Sequence, residues 1–382
     1  MWRNIASNAL TLFVVILVVV GGVVAWAKNQ YSGAGPLEAA ICLNVERGSN
    51  MGAVSDTLLA QNAISSPYIF KSGANYTQKS QLLKAGRFLV PSGASMEEIV
   101  DIVTRGGAST CGTKVIYRIG ITSVVAEVLE LDPESNRFVE LAEFAPASDA
   151  VPDAYTRVRG EADTGYEIQL VPGATVWQVV EGLKSADFLS GEVSEYPTEG
   201  SLAPDSYEVS VDQSRDALLE LMQVKQTNRL DEAWANRAEG LPLANKEELL
   251  VLASIVEKET GLAEERRQVA SVFENRLKRG MRLQTDPTVI YGVTNGQGVL
   301  GRGLRQSELR RETPYNTYVI EGLPPGPIAN PGLESIQAAV NPDTTPYIFF
   351  VADGTGGHAF AETLEEHNKN VAAWRKIEAS QN

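Results

Sequence analysis

Residues 245–260 read NKEELLVLASIVEKET. Asn245 suits an N-cap, because its short polar side chain can accept hydrogen bonds from the orphan N–H groups of a first helical turn. The spacing predicts a helix over residues 247–260. At about 100° per residue, Leu249, Leu252, Ile255 and Val256 share one apolar face. Glu259 falls in the middle of that face, and Glu257, two residues earlier, points to the opposite side. A carboxylate on the buried side of a helix is unusual. Desolvation favours its protonated form, so it can keep a proton near neutral pH. A general acid for glycosidic cleavage needs that property. The other reading is a buried glutamate paired with an arginine, Arg266 or Arg276.

Working outward, residues 280–331 are dense in Gly, Pro, Asn and Thr, and a compact domain seldom carries so long a polar loop unless it is functional. Residues 347–351 are β-branched and aromatic and run into Ala352-Asp353-Gly354, which predicts a strand entering a tight turn. Residues 215–235 and 364–379 are helical runs. The N-terminal half repeats a pattern: a short apolar run, a glycine, then apolar spacing of three and four. Its copies are 41–45, Gly48 and 53–59; 88–90, Gly93 and 96–103; 115–119, Gly120 and 124–129; 168–171, Gly173 and 176–183. The glycine supplies a turn and a nearby Ser or Thr can cap the helix. Such a strand–Gly–helix unit is similar to half of a LysM-like module, a small glycan-binding fold; plain structural repetition is the other reading. Residues 132–163, rich in Pro, Ala, Asp and Glu, are expected to form an extended loop.

The N-terminus is uncharged from residue 5 to residue 27, and about 20 apolar residues suffice to span a bilayer as a helix. Arg3 precedes the run, so the positive-inside rule keeps the short end in the cytoplasm and exports everything after Lys28. The alternative is a cleaved signal peptide, since Ala25-Trp26-Ala27 reads as a cleavage site. Residues 29–36 are expected to form a short linker. Cys42 and Cys111 lie on the exported side, and an even count in an oxidising compartment suggests one disulfide, with two separate buried thiols as the other reading.

With 382 residues the chain can build two or three domains, and its net charge of −15 argues against a nucleic-acid partner. Two histidines, His358 and His367, make a His-rich metal site unavailable, so no metal or cofactor is expected. His358 is expected as a turn or cleft residue. Residues 354–357 (GTGG) lack the Lys-Ser/Thr of a phosphate loop, and no G-x-S-x-G elbow occurs.

The segment LASIVEKET at 252–260 resembles the signature of the endolytic murein transglycosylase family. So do VASVFENRL at 269–277, GMRLQTDPTVIYG at 280–292, TPYNTY at 313–318, GLPPGPI at 322–328, and FVADG at 350–354 with GGH at 356–358. EGSLAPDSY at 199–207 matches a further family segment, expected to wall the cleft. Order and spacing agree over most of residues 199–382, while residues 111–166 run longer than the family pattern.

The resemblance implies a lyase that cuts the β-1,4 bond between N-acetylmuramic acid (MurNAc) and N-acetylglucosamine (GlcNAc) of nascent peptidoglycan, leaving 1,6-anhydro-MurNAc ends and terminating strand elongation. It places the catalytic role on Glu259. A muramidase-type hydrolase, with Asp286 as second carboxylate, and a non-catalytic glycan-binding scaffold are the alternatives. Glu257, Gln284, Asp286, Tyr291, Asn316 and Tyr318 are candidate substrate contacts, each with loop ordering as its other reading. The expected fold is α+β. It comprises a cytoplasmic end and transmembrane anchor (1–28), a LysM-like domain (29–110), a second LysM-like region with an extended loop (111–198), and a mixed α/β catalytic domain (199–382). The expected partners are glycan strands, the inner membrane and peptidoglycan synthases of the penicillin-binding class, with the catalytic domain facing the periplasm.

Overall fold

The structure, a computed structural model, describes residues 2–46, 48–105, 111–132, 137–147, 149–159, 161 and 164–381, with the side chains of residues 2–12 excepted. Two compact units make up the chain: one comprises Met1–Lys114, Leu129–Leu141 and Gly160–Gly165, the other Val115–Val128, Ala142–Arg159 and Tyr166–Asn382.

The first unit begins with helix α1 (Trp2–Ser32). Its stretch Phe13–Ser32 is long and apolar enough to cross a membrane, and the apolar part of it, before Tyr31, is not buried in protein. The side chain of Arg3, which carries the orientation argument, lies outside the described residues. The first half of the expected linker over residues 29–36 is helical instead, because α1 continues to Ser32, and residues 33–36 remain outside it. The physical reason is Tyr31, only 9% exposed, whose ring lies on Gly73, where a Cβ would come within 2.1 Å of it. Burying an aromatic ring favours extending the helix over fraying it.

Strand β1 (Ile41–Val45), helices α2 (Met51–Ala60) and α3 (Pro67–Tyr76), strand β2 (Gly86–Val90) and helix α4 (Met96–Arg105) follow. β1 and β2 pair antiparallel, with Leu43 opposite Phe88. Asn50 and Ser66 cap α2 and α3 by accepting hydrogen bonds from first-turn N–H groups. Leu43, Val45, Leu58, Phe70, Val90, Ile99 and Val103 form the core of this unit. Cys42 and Cys111 are joined by a disulfide.

Next come β3 (Thr113–Ile119), β4 (Val124–Asp132), β5 (Arg137–Phe144), α5 (Asp153–Val158), β6 (Gly165–Leu170), α6 (Val176–Ser185), β7 (Leu189–Ser190), β8 (Ser206–Val209) and β9 (Gln213–Ser214). A five-stranded sheet has the order β5-β4-β3-β6-β8, and β7 pairs with β9. Three copies of the sequence pattern are strand, glycine and helix, with Gly48, Gly93 and Gly173 at φ of +80°, +69° and +84°. The third copy departs from it. Residues 124–129 belong to strand β4, not a helix, because Ala126 and Val128 are buried at a spacing of two and Gly120 closes a hairpin onto Ser123. The expected loop at 132–163 likewise contains β5 and α5, apart from residues 133–136, 148, 160, 162 and 163, which lie outside the described residues. β5 is an edge strand exposed over most of its length, so its polar composition mimics a loop.

The remaining elements are α7 (Arg215–Ala235), α8 (Lys246–Glu259), α9 (Arg266–Lys278), α10 (Asp286–Thr294), α11 (Gln306–Leu309), α12 (Leu333–Val340), the hairpin β10 (Phe349–Ala352) and β11 (His358–Ala361), and α13 (Leu364–Gln381). From α7 onward the chain is helical apart from one hairpin, and residues 199–382 also include strands β8 and β9. Helix α8 is its axis: α7, α9, α10 and α12 all touch it. The expected single apolar face is therefore an incomplete description, since residues 251–256 are buried on every side. Residues 280–331 contain α10 and α11 and are not one loop; what lies between is fastened through buried Asn and Thr side chains. Asn330 accepts from Leu202 N–H and donates to Ala174, locking this segment onto the turn before α6.

Candidate active site

Glu259 is the last residue of α8. Asn245 caps the other end by accepting from Glu248 N–H at 2.8 Å. Glu259 is half-buried, and its Oε1 accepts a hydrogen bond from the Thr285 hydroxyl. Thr285 is the N-cap of α10, yet its hydroxyl does not cap the helix, because it is turned to the carboxylate. Its backbone is held by neighbours: Thr285 N–H donates to Thr317 Oγ1 at 3.0 Å, and Thr288 Oγ1 donates to Thr285 O at 2.8 Å. All three threonines are at most 2% exposed, so the donor is fixed by a dry hydroxyl cluster.

Burial is the main influence raising the Glu259 pKa; Asp286 adds to it, while Thr285, His358 and Arg276 act against it. Its place in the last helical turn, at the negative end of the helix dipole, also disfavours the anion. Among the described residues Glu259 makes no ion pair. Arg276 instead gives Nε to Ile348 O at 2.7 Å and NH1 to Leu283 O at 2.5 Å. The Arg-paired reading of Glu259 therefore does not describe this structure, and the carboxyl can hold and release a proton.

The other sequence candidates fall in different places. Asp286 is exposed at the start of α10 and accepts from Tyr318 OH at 2.7 Å; burial and Asp286 raise the Tyr318 pKa. Glu259 acts on Tyr318 as well, so Glu259, Asp286 and Tyr318 form one electrostatic group. Gln284 is exposed, with a left-handed backbone at φ 48° tied to Thr317 O. Glu257 is on the other side of α8, where it accepts from Gly332 N–H at 2.9 Å. Tyr291 packs at a tilt against Tyr315, with ring centroids 4.8 Å apart, and donates to Glu199 Oε2 at 3.2 Å. Asn316 is fully buried and its amide binds the carbonyls of Glu308, Leu309 and Arg311, which is the loop-ordering role.

Three residues escape the sequence reading. Thr285 carries a cap-like signal in Thr-Asp-Pro but nothing that announces its partner. Glu199 accepts from Val176 N–H and Tyr291 OH, and burial raises its pKa; it lies in the segment expected only as a cleft wall. Glu265 accepts from His358 through both the ring Nδ1, at 2.9 Å, and the backbone N–H, at 2.8 Å. No local pattern links residues 93 positions apart.

The chain belongs to the YceG-like family, whose model matches residues 43–373. It is similar to a Bacillus subtilis (strain 168) protein named endolytic murein transglycosylase, 29% identical over 92% of this chain and 89% of that one. A protein of the same name from Streptococcus pneumoniae serotype 2 is 28% identical over 87% of this chain, which spans 58% of the length of that relative. The crystal structure of a yceG-like protein from Listeria monocytogenes is 25% identical, with 87% of this chain and 99% of that one covered and a TM-score of 0.44.

Proposed function

We propose that this protein is an endolytic murein transglycosylase, a membrane-anchored lyase that cuts peptidoglycan glycan strands. The observation that carries the reading is Glu259: a desolvated carboxyl that makes no ion pair among the described residues, held by one hydroxyl at the end of a buried helix. The names of the relatives point to the same chemistry.

In the proposed reaction the Glu259 proton passes to the bridging oxygen of the β-1,4 bond between MurNAc and GlcNAc as the MurNAc C1–O bond breaks. The C6 hydroxyl of the same MurNAc attacks C1, and its proton goes to the Glu259 carboxylate. One strand then ends in 1,6-anhydro-MurNAc and the other in GlcNAc with a free 4-hydroxyl. A hydrolase needs a second carboxylate to activate water or form a covalent intermediate. An internal hydroxyl is already present at high effective molarity, so one carboxyl serves both transfers.

Residues 199–382 would be the catalytic region, with Gln284 and Asp286 exposed to meet sugar and Tyr291 and Tyr318 oriented by Glu199 and Asp286. Residues 29–110 and 111–198 would bind glycan as LysM-like regions; the β1-α2-α3-β2 arrangement supports this for the first. Residues 1–28 would anchor the enzyme in the inner membrane, facing the periplasm beside peptidoglycan synthases and cutting nascent strands to end their elongation. Mass spectrometry of digested glycan is the test. Anhydro ends are expected; reducing ends would instead mean a muramidase using Asp286, and no cleavage would mean a glycan-binding scaffold.

A further inference from the structure

The end of helix α1 is fastened into the first unit. Gln30 Oε1 accepts from the Ser65 hydroxyl at 3.3 Å, and the Tyr31 ring covers Gly73 of α3. Gly35 N–H donates to Gly93 O at 3.1 Å. A Cβ at Gly35 would lie 2.2 Å from Ala94 O and 3.2 Å from Ala63 O, so only glycine permits that approach. The short stretch after α1 is therefore no free hinge, and the first unit keeps a fixed position on the helix end. From Ala63, beside Gly35, to Ser65, beside Gln30, the chain runs back along α1 toward its apolar span. There α3 begins, with Ser66 as its N-cap. Tyr68, in the first turn of α3, is 78% exposed, and Lys71, one turn further on the same face, is exposed as well.

We propose that the first unit docks on the membrane surface, with the start of α3 and the Tyr68 ring in the lipid headgroup layer. The inference rests on the membrane-anchored reading above. Helix α1 itself marks the level of the interface. Its uncharged run ends at Ala27, before Lys28, and Trp26 is 58% exposed at that end. Trp and Tyr rings gather where hydrocarbon meets headgroups, because the ring leaves water while its polar atom stays wet. Gln30 lies about 4.5 Å past Ala27 at about 1.5 Å of rise per residue. The headgroup layer is roughly 5–7 Å deep on each side of a bilayer, so Ser65, in contact with Gln30, falls inside it. Tilting the helix brings Gln30 nearer the hydrocarbon still. Tyr68 follows Ser65 by three residues and offers the ring that such a layer accepts. Lys71 can lay its stem along the same surface, and among the described residues its ammonium makes no ion pair, which leaves it for a lipid phosphate.

The experiment uses the full chain in vesicles of phosphatidylcholine and phosphatidylglycerol, labelled without reductant so that the Cys42–Cys111 disulfide stays closed. A polarity-sensitive fluorophore is attached in turn through Leu17→Cys, Tyr68→Cys and Lys71→Cys. Nitroxide quenchers are placed either on the lipid headgroup or deep on the acyl chain. The headgroup quencher should lower emission at position 68 by about twofold or more, should act at position 71 too, and should outweigh the acyl-chain quencher at both. At position 17, near the middle of the span, the acyl-chain quencher should dominate. If position 17 behaves so while 68 and 71 respond only to iodide in the water, α1 crosses the bilayer but the first unit stands clear of it, and the docking is overturned with the anchor intact. If no lipid-borne quencher reaches position 17, the anchored reading itself fails and the docking falls with it. All three sites are exposed, so the labels leave the core untouched. Thermal melts report folding; if Tyr68→Cys does not fold, Lys71→Cys decides by the same criterion.

Discussion

Thr285, at the start of α10, donates its hydroxyl to the carboxylate of Glu259, at the end of α8, across 26 residues of sequence. The contact joins the proposed acid to a fixed donor and leaves α10 without a side-chain cap. Glu259→Gln keeps the shape and removes the proton, so it should abolish cleavage while glycan binding and the melting temperature persist. Thr285→Val should reduce kcat by about 10- to 100-fold, the loss of one hydrogen bond to a charged group. Anhydro-end formation with purified variants checks both; near-parental activity of Glu259→Gln would exclude it as the acid.

Glu257 lies on the opposite side of α8, bound to Gly332 N–H. In Glu257→Gln an amide oxygen can keep that bond, so activity should fall less than about fivefold, a cost below about 1 kcal/mol. Equal losses for Glu257→Gln and Glu259→Gln would break the assignment of distinct roles to the two carboxylates.

Glu274 is 1% exposed on α9, its Oε1 has no hydrogen-bond partner, and its Oε2 meets Lys278 at 3.4 Å. Burial pushes its pKa up from 4.5 to about 7. The folded state therefore binds the proton more tightly than the unfolded one, and that contribution is lost as pH rises from about 4.5 through 7. A shift of this size is on the order of 3 kcal/mol. Glu274→Gln should flatten the decline, with a higher melting temperature than the parent at pH 8 and little difference at pH 4.5. Parallel melting curves across that range would count against it.

The Cys42–Cys111 bond closes a separation of 69 residues within the first unit. In the chain-entropy account its removal should cost roughly 4 kcal/mol of stability. Replacing both cysteines by serine should lower the unfolding midpoint and leave the proposed chemistry at Glu259 unchanged, as read by denaturant titration beside the activity assay.

Helix α1 runs unbroken through the apolar segment, and Tyr31 packs into the first unit against Gly73. Cleavage after Ala27 would sever the helix one turn before that ring. The proposed anchor should therefore stay attached, and intact mass of the membrane-extracted protein should include residues 1–27; a mature N-terminus at Lys28 would refute this. Gly73→Ala, which places a methyl on the Tyr31 ring, should destabilise the first unit by about 1–3 kcal/mol.

Local signals carried much of this. The helix after Asn245, the apolar N-terminal span, the glycine turns at 48, 93 and 173 and the position of Glu259 at the end of α8 were all legible, because caps, periodicity and positive-φ turns are properties of neighbouring residues. The hairpin at Gly120 and the edge strand β5 were not, since a strand's identity depends on what it pairs with and an exposed edge has the composition of a loop. The same limit applied to the site. Sequence placed Glu259 on a buried face, but it could not reveal that Thr285 rather than an arginine would meet it, that Asn316 would turn inward to three carbonyls, or that Glu265 would hold His358. The Thr285 and His358 contacts join residues 26 and 93 positions apart, and the Asn316 contacts close a loop over spans of 5 to 8 residues that no helix or strand period announces. Only folding decides which buried polar group finds which partner, because the cost of leaving one unsatisfied is settled by whatever the tertiary structure brings within reach.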